Sequence, residues 1–222
     1  MTDSALTHVY VLLDRSGSMS AIADDTMGGF AAFVREQQAV GGRCRLSLSQ
    51  FDDSYERVYA SVDIQDVPPL DLQPRGSTAL YDAMVRLIGE AGAELAGLPE
   101  EQRPGTVLVA VLTDGQENSS REATGAMVKS LVERQQSQWG WQFTYLGANQ
   151  DAVLTAGGLG IRAEDALTYA AGNVDAAFSV QSAKTRRLRE ARMGGASLAE
   201  ASAAATYTPE EREAAGGEAP RV

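Results

Sequence analysis

The sequence predicts an α/β domain with a doubly wound, mostly parallel sheet, one antiparallel edge strand and helices on both faces. Two continuous apolar runs, residues 8–13 (HVYVLL) and 106–113 (TVLVAVLT), have the length and composition of strands that are covered on both faces. Segments with helical periodicity separate the predicted strands. Strands that alternate with helices form parallel sheets with right-handed crossovers.

The remaining strands are shorter or alternate in polarity. Residues 44–51 and 58–64 place apolar side chains at every second position on either side of the polar turn Asp52-Asp53-Ser54, which predicts a hairpin whose second strand lies near the sheet edge. Residues 142–147 (QFTYLG) predict another strand, and residues 166–170 predict a weaker one.

Three helices lie between these strands, and each carries one apolar stripe. Ser119 stands three residues before Glu122, the spacing of a capping box, so the third helix is expected to begin there. The stripes consist of Ile22, Phe30, Phe33 and Val34 in the first helix; Leu80, Met84, Leu87, Ile88, Ala91 and Leu95 in the second; and Met127, Val128, Leu131 and Val132 in the third.

A last helix is predicted over residues 174–193, within a domain that spans residues 1–193. Its second half is basic, which we interpret as a solvated face with cations near the helix C-terminus. Residues 194–222 are rich in Ala, Gly and Glu, and we expect a flexible tail because few large apolar side chains are available for burial. The basic residues are Lys184, Arg186, Arg187, Arg189 and Arg192.

The composition excludes several classes of function. The chain has 30 acidic and 19 basic residues and a net charge of −11, which disfavours binding to nucleic acid or to an anionic membrane. Cys44 and His8 are the only cysteine and histidine, so a disulfide framework, a zinc site and histidine catalysis all lack their usual residues. No apolar run is long enough for a membrane span or a secretory signal, and a cytoplasmic location is expected.

Oxygen-bearing side chains follow the two central strands. Asp14, Ser16 and Ser18 come directly after the first strand, and Asp114 follows the strand at 106–113. Thr78 stands in a loop before the second helix. In an open doubly wound sheet, ligands bind beyond the carboxyl ends of neighbouring strands whose crossovers diverge. If these two strands are those neighbours, a hard cation fits the oxygen donors, so we expect Mg²⁺, with Mn²⁺ as a close substitute.

These motifs resemble the metal-ion-dependent adhesion site (MIDAS) of the von Willebrand factor type A (VWA) domain. The resemblance runs from about residue 7 to residue 170 and rests on three elements in the family's order: Asp14-x-Ser16-x-Ser18, Thr78 in GSTAL, and Thr113-Asp114-Gly115. It implies a Rossmann-like fold. The composition of the chain suggests a member of the bacterial or phage type.

The resemblance also implies a function. In the family, the equivalents of Ser16, Ser18 and Thr78 ligate the cation through hydroxyls, and the equivalents of Asp14 and Asp114 hold its waters. An acidic residue of a protein partner completes the coordination. The implied role is therefore a non-enzymatic, metal-dependent protein-binding module. Related domains serve beside AAA+ ATPases in bacteria and also occur in phages. The resemblance therefore implies that the partner is an AAA+ ATPase or another bacterial or phage protein.

Two alternatives stay open. An aspartate-based phosphoryl-transfer enzyme also places an Asp loop after a first strand, although it needs a second Asp where this chain has Ser16. An adaptor with a purely structural metal site would make its contacts through the basic helix or the tail.

Other polar and aromatic residues near the predicted site have structural interpretations. Residues 116–118 and 149–151 fit either the rim of a site or ordinary loops. Asp52 and Asp53 are interpreted as turn formers, and Trp139 and Trp141 as packing at a helix end.

Overall fold

The computed structural model describes residues 2–149 and 151–217. It contains a six-stranded sheet in the order β3-β2-β1-β4-β5-β6, which confirms the predicted fold class. The strands are β1 (Asp3–Asp14), β2 (Arg43–Phe51), β3 (Tyr55–Asp63), β4 (Pro104–Thr113), β5 (Gln142–Ala148) and β6 (Ala166–Tyr169).

The helices cover both faces of this sheet. Seven α-helices lie within the described residues: α1 (Ala23–Ala39), α2 (Leu80–Gly97), α3 (Gly125–Trp139), α4 (Ala152–Gly158), α5 (Val174–Met193), α6 (Leu198–Ala204) and α7 (Pro209–Ala214). Three of them, α4, α6 and α7, have no counterpart in the sequence prediction. No helix among the described residues has the length and apolar character needed to cross a bilayer.

The strand pairing places the switch point of the sheet at its centre. β1 pairs with β2 on one side and with β4 on the other, both in parallel, and only β3 runs antiparallel. The chain therefore moves outward from β1 in one direction and from β4 in the other. The clefts where such sheets bind ligands open between strands of this kind.

Alternate side chains of the strands fill two cores. Val9, Val11 and Leu13 of β1 pack with apolar residues of α1 and α5. Tyr10 and Leu12 point to the opposite face, where α2, α3 and α4 cover them. This double burial explains why β1 and β4 read as continuous apolar runs.

The third helix begins later than the sequence predicts. Thr124, not Ser119, is its N-cap and accepts a hydrogen bond from the backbone of Met127. Glu117 accepts the backbone N–H groups of Ser119 and Ser120. Asp82 accepts the backbone N–H of Glu122. The capping-box interpretation of Ser119 is therefore wrong, because other carboxylates already accept the two backbone donors that such a box would use.

The segment after residue 193 also differs from the prediction. Within 194–217, α6 and α7 pack against α5 and β6, and Tyr207, Ala201 and Ala205 are buried. Both helices begin with a complete capping box, at Ser197 and Thr208. The expectation of an unpacked tail is wrong here because small alanines and one tyrosine suffice to fill the space beside α5. Residues 218–222 lie outside the described residues.

Ionic contacts hold these last helices in place. Lys184 Nζ donates to Asp165 Oδ1 at 2.6 Å and to the carbonyl of Ala205 at 2.7 Å. Lys184 and Arg189 are buried, so the solvated interpretation of the basic half of α5 is wrong for these two residues. We call the following group the C-terminal charge cluster: Arg162, Asp165, Lys184, Arg187, Glu211 and Arg212.

Candidate metal centre

The loop after β1 is folded by its own carboxylate. Asp14 ends the strand, is fully buried, and accepts the backbone N–H of Ser16 at 2.6 Å through Oδ1. This short turn directs the next hydroxyls to the same side, since Ser16 Oγ and Ser18 Oγ are 3.0 Å apart. The predicted Asp-x-Ser-x-Ser convergence is present in the structure.

The loop after β4 meets this first loop across the switch point. The hydroxyl of Thr113 donates to Asp14 Oδ2 at 2.6 Å, and the hydroxyl of Ser18 donates to Asp114 Oδ1 at 2.6 Å. The two carboxylates therefore belong to one hydrogen-bonded group. Thr113 has a bridging role that the sequence analysis did not assign to it.

Thr78 enters the same group from the loop before α2. A Cβ atom placed on Gly115 would lie 3.1 Å from Thr78 Oγ1, 3.6 Å from Ser18 Oγ and 3.9 Å from Asp14 Oδ2. Oxygens from all three loops thus surround one small space beside a glycine. We call Asp14, Ser16, Ser18, Thr78 and Asp114, which the structure brings together, the metal edge.

Asp52 ties the first loop to the Thr78 loop, a role that the turn-former interpretation only partly describes. It accepts Ser54 N–H within its own turn, and its Oδ2 also accepts Arg15 Nε at 2.9 Å and Arg75 Nε at 2.8 Å. The carbonyl of Asp52 accepts Ala79 N–H at 3.0 Å. Burial raises the pKa of Asp52, but hydrogen bonds from Arg75, Ser54 and Arg15 outweigh this and lower it to about 2.

Gly76 completes this connection between the loops. Its carbonyl accepts Gly17 N–H at 3.1 Å, and its φ of 67° lies in the left-handed region that favours glycine. Neither Arg15 nor Gly76 could be identified as a supporting residue from sequence, because their partners are distant along the chain.

The residues after Asp114 connect their loop to the start of α2 and to the loop before it. Asn118 Oδ1 accepts Thr78 N–H at 2.9 Å, and Glu117 Oε2 accepts Tyr81 N–H at 2.9 Å. Asp82 accepts the backbone N–H groups of residues 121–123. These contacts support a structural role for Glu117 and Asn118, while Gln116 is exposed.

The loop after β5 is likewise organised by backbone contacts. Asn149 Oδ1 accepts Ala171 N–H, and Asp151 caps α4 by accepting Leu154 N–H. Gln150 lies outside the described residues. The contacts of Asn149 and Asp151 are those of loop and cap residues.

The electrostatics of the metal edge are unbalanced. Burial raises the pKa of Asp14 to about 6, and the hydrogen bonds from Thr113 and Ser16 offset only part of this effect. Burial also raises the pKa of Asp114, against the hydrogen bond from Ser18. Within residues 2–149 and 151–217, no Lys or Arg side chain pairs with either carboxylate. A bound cation would supply the missing positive charge.

The donor set matches a hard cation. All five side chains offer oxygen, three as neutral hydroxyls and two as carboxylates, the chemistry that Mg²⁺ and Mn²⁺ prefer. Across the described residues, no group of three His, Cys, Asp or Glu side chains is placed to hold a metal. A metal at this edge would therefore depend on the serine and threonine hydroxyls.

Solved structures with the same fold are VWA domains. The chain matches no protein-family model and no curated protein. It is similar to the ArnB paralog VWA2 from Sulfolobus acidocaldarius (14% identity, TM-score 0.55, 80% of this chain and 44% of that one). It is also similar to a von Willebrand factor type A structure from Catenulispora acidiphila (15% identity, TM-score 0.55, 82% of this chain and 43% of that one).

A third similar structure is the pilus adhesin SpaC from Lactobacillus rhamnosus GG in its open conformation (15% identity, TM-score 0.58, 82% of this chain and 30% of that one). The match thus spans less than half the length of these three proteins. At such identities the likeness shows the fold alone, and the chain has the VWA fold.

Proposed function

We propose that this chain is a divalent-metal-dependent protein-binding module. Ser16, Ser18 and Thr78 would hold Mg²⁺, or Mn²⁺ in its place, through their hydroxyl oxygens. Asp14 and Asp114 would hold waters of the ion. A bound ion would supply an electrophilic centre, and an Asp or Glu side chain of the partner would complete its coordination.

The observation that carries this proposal is the burial of Asp14 among neutral partners. Asp14 has no exposed surface, and it accepts hydrogen bonds from Ser16 N–H and the Thr113 hydroxyl. A buried carboxylate without a cation is costly. The hydroxyl groups around the same small space could ligate a cation. Binding a cation there would therefore reduce the cost of burying the carboxylate.

The ligand types explain why a partner's carboxylate would bind. Hydroxyl ligands are neutral and leave the charge of a divalent ion largely intact. Asp14 and Asp114, holding its waters, would keep the ion in place without neutralising it through direct contact. Ser18 is exposed and Asp114 is half-buried, so the centre is open on the side where a partner would approach.

The similar structures support a binding role. SpaC is an adhesin by name, and we extend a binding role of that kind to this chain. We further propose that the chain acts without catalysing a reaction. The partner is a protein that presents an acidic side chain, as an AAA+ ATPase or another bacterial or phage protein could, inside the cytoplasm.

No observation favours phosphoryl transfer. Asp14 is enclosed, and both of its oxygens accept hydrogen bonds. The two lysines of the chain lie elsewhere, Lys184 against Asp165 and Lys129 beside Glu133. An assay with a generic phosphate ester tests this alternative directly.

Calorimetry with MgCl₂ and MnCl₂ tests the metal site. We expect saturable binding to the wild type and a loss of at least about tenfold in the isosteric Thr78→Val variant, which removes one hydroxyl. Asp24→Ala, at the start of α1, is the matched surface control. Unchanged affinity in Thr78→Val would overturn the assignment.

A pull-down with Mg²⁺, repeated with a chelator, tests the module. Partner capture should disappear with the chelator and in Thr78→Val. Capture that survives chelation would instead favour the adaptor with a structural metal.

A further inference from the structure

A second surface lies in the groove between α2 and α3. The groove has a volume of about 450 Å³, within the range of about 300–1,000 Å³ typical of ligand sites. Ile88, Leu95 and Leu131 give it apolar walls. It extends to Trp141, beside the start of β5, whereas the metal edge follows the ends of β1 and β4. The two surfaces are therefore separate.

Two glycines of α2 keep this groove open. Gly89 and Gly92 lie inside the helix, and a Cβ atom at either position would meet no atom within 4 Å. Glycine inside a helix is less favourable than alanine. Packing within the chain therefore does not require glycine at these positions. Because glycine has no side chain, another chain can approach the helix backbone closely there.

A tryptophan stands exposed at the groove. Trp139 is 65% exposed, whereas Trp141 is 5% exposed and stacks between Tyr10 and Phe143. The helix-end packing predicted for both residues thus holds for Trp141 and is wrong for Trp139. Tryptophan and arginine are enriched among the residues that contribute most of the binding energy at protein interfaces.

The charge of the groove is opposite to that of the chain. Its lining includes Arg103 and Arg134 and no Asp or Glu, on a chain with a net charge of −11. Arg103 donates to the carbonyls of Leu98 and Ala96. Arg134 is exposed, and its guanidinium makes no hydrogen bond or ion pair within the described part of the chain.

We propose that this groove binds an amphipathic helical segment of a protein partner. Aliphatic side chains of that segment fill the space above Gly89 and Gly92, in the helix-in-groove manner. An Asp or Glu of the same segment pairs with Arg134. This contact needs no metal, so it is independent of the function proposed for the metal edge.

A displayed library of helical peptides tests the proposal. The library is selected on the wild-type protein and counter-selected on Gly92→Leu, which fills the groove. We expect enriched peptides to carry aliphatic residues at helical spacing together with Asp or Glu. Enrichment of basic peptides, or no enrichment that depends on Gly92, would overturn the proposal.

Intrinsic fluorescence then measures the binding of one enriched peptide, because both tryptophans of the chain line the groove. Arg134→Glu should weaken binding at least tenfold, whereas Arg134→Lys should retain most of it. Equal affinity in wild type and Arg134→Glu would overturn the predicted charge contact.

Matched controls separate binding from folding. Gly28→Leu makes the same change at an interior glycine of α1 that also has open space, and it should leave binding unchanged. Gly92→Leu should melt no lower than wild type. Asp14→Ala and a chelator should not affect peptide binding. A wild-type dimer that Gly92→Leu dissociates in sedimentation would show self-association and overturn the proposed partner.

Discussion

Asp14 and Asp165 are both buried carboxylates, but one ends the central strand β1 and the other precedes the edge strand β6, and their surroundings are opposite in charge. Asp165 precedes β6 and accepts Lys184 Nζ at 2.6 Å and Arg162 Nε at 2.8 Å. Asp14 ends β1 and accepts only neutral donors among the described residues.

The difference indicates different uses of a buried charge. In the C-terminal charge cluster, fixed cations match the carboxylate, and the group holds α6 and α7 against α5. At the metal edge the protein supplies oxygens without cations, and under the proposed function an ion from solution would match the charge. Removing the carboxylate should therefore affect folding at Asp165 and metal binding at Asp14.

The largest effect is expected at the C-terminal charge cluster. Asp165→Ala leaves Lys184 buried without its carboxylate, and breaking a buried pair in this way costs about 3–5 kcal/mol. Urea denaturation should show this loss of unfolding free energy. The double variant Asp165→Leu, Lys184→Met should recover much of it, because neither member of the pair is left as an unpaired buried charge. A loss below about 1 kcal/mol in Asp165→Ala would mean that the cluster does not hold these helices.

A third way to bury an ionisable group is to keep it neutral, as at His8. His8 is 2% exposed, lies 2.9 Å from Ser47 Oγ and stacks on Tyr10. Burial lowers its pKa from 6.5 to about 3, helped by Arg45 and Arg57. The unfolded chain thus takes up the proton first, and stability is lost as the pH falls from 6.5 towards 3.

Comparing the wild type with His8→Gln separates the pH dependence due to His8 from that of the other titrating groups. Between pH 7 and pH 5 the wild type should lose roughly 2 kcal/mol more unfolding free energy than the variant, at about 1.36 kcal/mol per pH unit below 6.5. Urea denaturation at both pH values measures the difference. Identical pH dependence of the two proteins would contradict the buried neutral imidazole.

The next effect concerns binding at the metal edge. Asp14→Ala should lower Mg²⁺ affinity by at least about tenfold, or about 1.4 kcal/mol, because one of the two balancing charges is gone. The metal-free variant should not be less stable than metal-free wild type. Calorimetry and metal-free urea denaturation measure the two quantities, with Asp24→Ala as control. An Asp14→Ala variant that binds Mg²⁺ normally but unfolds easily would reverse the contrast between Asp14 and Asp165.

The smallest effect is expected at Arg75, which pairs with Asp52 from the surface. The Arg75 side chain is 62% exposed, and exposed ion pairs contribute about 0–1 kcal/mol. Arg75→Ala should therefore cost less than about 1 kcal/mol in urea denaturation. Arg15→Ala should cost more, because the Arg15 side chain is 7% exposed against the same carboxylate. Equal costs would mean that burial does not set the strength of these pairs.

Sequence by itself determined the fold class and the members of the metal edge. A continuous apolar run is visible within a few residues of sequence, so β1 and β4 could be recognised as strands covered on both faces. Asp14, Ser16 and Ser18 fold through their own local turn, and parallel strands bring the Asp114 loop to the same edge. Both kinds of information are local or follow from the order of strands.

Only the tertiary structure decided which partners the remaining charges have. Arg15 pairs with Asp52, and Lys184 pairs with Asp165. The helices after residue 193 pack against α5 and β6. The composition of that last segment predicted that it would not pack. Burial, however, depends on the space beside elements that are distant in sequence as well as on side-chain size. Contacts between residues far apart in the chain are set by the assembled fold, because no local pattern encodes which surfaces will meet.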